Sequence, residues 1–121
     1  MPKIPSESQE QQRLVLKLSW DHPDLEFFAV PNGGKRNPGE ARILKLEGVK
    51  PGTPDLFFAE PRNEFHGLFI ELKRQDKSLS TTSKAQIEQH RKLTAKGYKV
   101  EVCYGAAHAY EQILLYLDES A

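Results

Sequence analysis

The chain has 121 residues, enough for one domain with a real apolar core. Lys+Arg is 17 and Asp+Glu is 17, so the formal net charge is zero, which alone argues weakly against a nucleic-acid partner. The lone Cys103 excludes an internal disulfide, no apolar run approaches the ~18 residues of a bilayer span, and the N-terminal Met-Pro-Lys-Ile-Pro-Ser has no apolar signal core; the sequence reads as a soluble cytoplasmic protein.

Residues 6–19 predict a helix capped by Ser6 or Ser8, with acids in the first turn where the helix dipole favours them. Glu7, Gln11, Leu14 and Leu18 share a face, which puts the leucines in the core and Glu7 at its rim. Pro23 stops any continuation. Residues 26–30 predict a short buried strand, and Pro31-Asn-Gly-Gly34 a turn. Residues 39–47 predict a short helix stopped by Gly48.

Residues 55–59 predict a second strand and 67–73 a third, joined as a hairpin across the polar turn 60–66. Residues 74–82 predict a loop. Thr82 or Ser83 caps a helix over 84–96, which Gly97 closes. Residues 98–104 alternate as a fourth strand, and 106–118 predict a last helix with Ile113, Leu114 and Leu117 inward. The order α-β-(α)-β-β-α-β-α predicts an α/β fold, a mixed central sheet of about four strands flanked by helices on both faces. The helix between strands three and four makes those two parallel by a right-handed crossover.

The third strand carries the chemistry. Side chains alternate along it, so Phe69, Glu71 and Lys73 share one face and Leu68, Ile70 and Leu72 the other. A strand covered on both sides should be apolar on both, and Glu71 and Lys73 break that rule. A buried carboxylate needs a cation or strong donors. A Glu71–Lys73 ion pair or exposure at the strand end would meet that need; so would a metal. Asp55 favours the metal, because the hairpin brings it into register with Glu71 and a divalent cation removes the repulsion of the two carboxylates. Oxygen ligands completed by water suit Mg²⁺ or Mn²⁺, with the Leu72 carbonyl as a further ligand. Lys73 would orient a water or stabilise developing negative charge, and Gln86, on the next helix with His90 and Leu93, could hold Lys73 or a water.

Charge is segregated along the chain. Lys35, Arg36, Arg42, Lys45 and Lys50 outweigh Glu40 and Glu47. Basic residues from Lys73 to Lys99, among them Arg74, Lys77 and Lys84, outweigh Asp76 and Glu88. The segment between is acidic. Basic flanks around an acidic centre suit a polyanion held about a metal pocket; a solvated helix face reads equally well. The turn from Asn32 to Arg36 could cradle a phosphate or be a plain turn. No histidine shows metal-ligand spacing, His90 reads as packed or half-exposed, and Cys103 reads as core.

Gly52-x-Pro54-Asp55, then Glu71-x-Lys73, then Gln86 resembles the PD-(D/E)xK nuclease superfamily. With Pro31-Asn-Gly-Gly, Gly48-x-Lys-x-Gly-x-Pro-Asp, Ser83-x-x-Gln86 and Gly97-Tyr-x-Val, the chain resembles, over most of its length, the VRR-NUC family of virus-type replication-repair nucleases. The resemblance implies a restriction-endonuclease-like core and a Mg²⁺- or Mn²⁺-dependent endonuclease that cuts branched DNA such as Holliday junctions. It implies a homodimer, for which the 106–118 helix, free of basic residues, is a candidate seam. It also implies a metal-proximal glutamate in the first helix; Glu7 fits the spacing Glu-x-x-x-Gln-x-x-Leu, and Glu10 is its rival.

Overall fold

A computed structural model describes residues 3–31 and 37–118. Their elements are α1 (Glu7–Asp21), β1 (Phe27–Ala29), α2 (Pro38–Leu46), β2 (Leu56–Phe58), β3 (Leu68–Lys73), a 3₁₀ turn (Lys77–Leu79), α3 (Lys84–Ala95), β4 (Lys99–Tyr104) and α4 (Ala106–Leu117). The predicted order stands. The 3₁₀ turn is an addition inside the expected loop, set by the Asp76 side chain accepting from the Ser78 N–H.

Local signals start and stop these elements. Ser6 caps α1 and Ser83 caps α3, each in a reciprocal box with the glutamine three residues on, Gln9 and Gln86. Asn37 caps α2, with Pro38 in its first turn. α1 runs on to Asp21, past the predicted end, before His22 closes it and Pro23 follows. α4 has no capping side chain of its own at Gly105.

Among the described residues the sheet has four strands in the order β1-β2-β3-β4. β1/β2 and β2/β3 are antiparallel, and β3/β4 are parallel across α3. One sheet face carries Leu56, Phe58, Leu68, Ile70, Leu72 and Cys103, all at most 1% exposed; Leu14 and Leu18 of α1 and Ala109, Ile113 and Tyr116 of α4 pack over them. Burial of these side chains, at about 1.5–3 kcal/mol for each large one, drives the fold. The other face carries Phe57, Phe69 and, at its end, Glu71 and Lys73. α3 covers that end. Register therefore sends the polar residues of β3 toward α3 and its leucines and isoleucine toward α1 and α4.

Candidate active site

Asp55 is delivered by a tight loop. Gly52 has φ +83°, and a Cβ there would lie 2.3 Å from the Ala85 carbonyl oxygen. A glycine is needed for both reasons, and its absence of side chain lets the loop press on the first turn of α3. Pro54 is buried next to it, and Asp55 follows just ahead of β2. The Leu56↔Ile70 pairing continued by one step sets Asp55 beside Glu71.

Asp55 Oδ2 accepts the Leu72 N–H at 2.6 Å. Burial and the charge of Glu71 together push the Asp55 carboxyl up to about 7, against the pull of that N–H. A strand residue's N–H and C=O point to the same edge, so the Leu72 carbonyl faces the space beyond the start of β2, where Asp55 sits. On the opposite edge the Lys73 carbonyl accepts the Gly105 N–H at 2.9 Å.

Glu71 is 2% exposed and Lys73 is 4% exposed. They do not pair with each other. Lys73 Nζ donates to the Thr81 carbonyl and to Gln86 Oε1, each at 2.9 Å. Gln86 Nε2 donates to Glu71 Oε2 at 3.2 Å, and Gln86 Oε1 also accepts the Ser83 N–H at 2.9 Å. One amide thus closes the capping box of α3 and also bonds Lys73 and Glu71. His90 Nε2 lies 3.4 Å from Glu71 Oε1. That contact is not readable from the sequence, although Gln86 and His90 share a helix face.

The two carboxylates and the Leu72 carbonyl form an all-oxygen donor set. Among the described residues no three His, Cys, Asp or Glu side chains converge as a metal cage. Such a set fits a hard divalent cation that keeps several waters, since burial and the adjacent Glu71 disfavour the charged form of Asp55.

The two first-helix glutamates separate. Glu10 is 1% exposed and turns to the start of α4, where its Oε1 accepts the Ala106 N–H at 3.1 Å; it supplies the cap that Gly105 lacks. Glu7 is exposed, and its charge helps raise the Asp55 carboxyl. Glu10 stands four residues before Leu14 and eight before Leu18, the spacing that marks it as facing inward.

A family model for the VRR-NUC domain matches residues 4–107. The chain belongs to the VRR-NUC family. A solved structure described as a VRR_NUC domain protein is similar, with a TM-score of 0.77 and 27% identity over 96% of this chain and 91% of that one. No curated protein matches. Membership brings a nuclease-type fold, and the mixed four-stranded sheet with its helices is that fold.

Of the basic residues singled out in this VRR-NUC chain, Arg42, Lys77 and Lys84 are exposed. Lys84 opens α3 two residues before Gln86. Lys77 Nζ stands 4.8 Å over the ring of Tyr104, the residue paired with Lys73, so it lies at the site's end of the sheet. Arg74 is engaged within the fold: its Nε and a terminal nitrogen donate to the Pro5 and Ile4 carbonyls at 3.1 and 2.9 Å. Asn32, Lys35 and Arg36 lie outside the described residues. Cys103 is buried, and burial pushes its thiol up to about 12, too high for a nucleophile. α4 spends its apolar face on α1, β3 and β4, leaving Leu115 as its exposed large apolar residue. Among the described residues no helix is long and apolar enough to cross a membrane.

Proposed function

We propose that the chain is a single VRR-NUC nuclease domain that hydrolyses phosphodiesters of DNA, with Mg²⁺ or Mn²⁺ as cofactor and branched DNA, such as a Holliday junction, as substrate. The observation that carries this is the cluster of buried Glu71 and Lys73 with half-buried Asp55 and Gln86, which holds two adjacent carboxylates and an ammonium directed to neutral oxygens.

Asp55, Glu71 and the Leu72 carbonyl would hold the ion, with Glu7 adding negative charge from the rim. When bound, the ion neutralises charge on the attacked phosphate and acidifies a water. Lys73 presents a fixed ammonium to the charge that develops in the transition state. Gln86 keeps Lys73 and Glu71 apart and in place, because one amide bonds both. The fold excludes bulk water from Glu71 and Lys73, which strengthens both effects.

Arg42, Lys77 and Lys84, with Asn32, Lys35 and Arg36, would contact phosphates, and Arg74 would act mainly by anchoring the N-terminal segment. Phosphate contacts without a base-reading element favour recognition of DNA shape over sequence. Symmetric cutting of a junction needs two sites, so the working form is a C₂ homodimer. A panel of duplex, nicked, flap and four-way-junction DNA with Mn²⁺ tests the reading. Preferred paired cuts in the junction are expected. Equal cleavage of plain duplex would make this a nuclease of another task, and junction binding without cleavage under any metal would make it a binding module.

A further inference from the structure

Glu71 is held at both oxygens by one helix. Gln86 Nε2 lies 3.2 Å from Oε2, and His90 Nε2 lies 3.4 Å from Oε1. Gln86 and His90 are one turn apart on α3, so a single helix face supplies both contacts. His90 is 14% exposed against the 2% exposed Glu71, so the contact is shielded from water. The tautomer with the proton on Nε2 makes His90 the donor in this contact.

From this geometry we infer that His90 is a positioning residue for the Glu71 carboxylate, resting on the metal reading above. A carboxylate free to rotate about its last bond offers a cation a changing pair of oxygens. With a donor from α3 on each oxygen, Glu71 is held in one plane beside Asp55, with which it would share a cation. Gln86 alone fixes one oxygen and leaves the other to swing. His90 thus acts through Glu71 and touches neither ion nor phosphate. Groups that orient ligands in this way change metal affinity by about 10- to 100-fold when removed.

Mn²⁺ binding by calorimetry at pH 8, without DNA, tests this with three proteins. His90→Phe keeps a ring and loses the donor; His90→Gln keeps a donor of similar reach. The expected result is about tenfold weaker Mn²⁺ binding in His90→Phe, with His90→Gln within about threefold of wild type. Circular dichroism confirms that each is folded. Unchanged affinity in folded His90→Phe, or equal loss in both variants, overturns the inference and leaves the metal reading intact. If wild type itself binds no Mn²⁺, the metal reading falls and this inference falls with it.

Discussion

Gln86 Oε1 accepts from Lys73 Nζ at 2.9 Å while its Nε2 donates to Glu71 Oε2 at 3.2 Å. One amide therefore spans the two polar residues that β3 buries, and the same Oε1 closes the capping box of α3 through the Ser83 N–H. Helix start and site geometry are a single structure here. Ser83→Ala removes only the cap and should cost about 1 kcal/mol of stability with little change in cleavage. Gln86→Ala removes both and should add a loss of cleavage of about 10- to 100-fold. Denaturant unfolding and single-turnover cleavage of both variants check this; equal cleavage would confine Gln86 to capping.

Asp55 gives a dependence on pH with an unusual sign. Its carboxyl rises on folding from 3.8 to about 7, because burial and Glu71 disfavour the charged form. Between those values the folded chain holds a proton that the unfolded chain has released. Metal-free stability should therefore fall as pH rises through this window and level off above it, by at most on the order of 4 kcal/mol. Mg²⁺ or Mn²⁺ should raise the melting temperature more at pH 8 than at pH 5.5, since at the lower pH a proton competes for Asp55. Melting curves with and without metal at both pH values measure it; a larger metal effect at pH 5.5 would refute the assignment.

The two first-helix acids should respond oppositely. Glu10→Ala removes the acceptor for the Ala106 N–H from a fully buried position and should cost about 1–2 kcal/mol of stability. Glu7→Gln, at an exposed position, should leave stability within about 0.5 kcal/mol and weaken Mn²⁺ binding. Unfolding and metal titration of the pair separate a structural glutamate from a site glutamate.

Gly52→Ala should be among the most damaging single methyl additions in the chain. The backbone is at φ +83°, and the new Cβ would meet the Ala85 carbonyl at 2.3 Å. A loss of about 3 kcal/mol or more is expected, with α3 displaced from Asp55. Full stability of the variant would show that this loop does not bear on α3.

Much of this was readable from residues. The hairpin of β2 and β3 fixes Asp55 beside Glu71, because register follows from alternation and turn length. The face of α3 that includes Gln86 was legible from a 3.6-residue period. His90 was not, because periodicity places a side chain on a face without saying whether it packs there or bonds. The spacing of Glu10 to Leu14 and Leu18 marks it as facing inward, but its bond to the Ala106 N–H depends on how α4 docks and no local pattern signals it. The Arg74 contacts to Ile4 and Pro5 join residues far apart in sequence, and no local pattern signals them.

The central claim is tested most directly by incubating a four-way DNA junction with wild type, Glu71→Gln and Lys73→Ala, each with and without Mn²⁺. Wild type should cut only with metal, and both variants should bind the junction while losing at least about 100-fold in cleavage rate. Cleavage by Lys73→Ala at the wild-type rate, or metal-independent cleavage by wild type, would contradict the account.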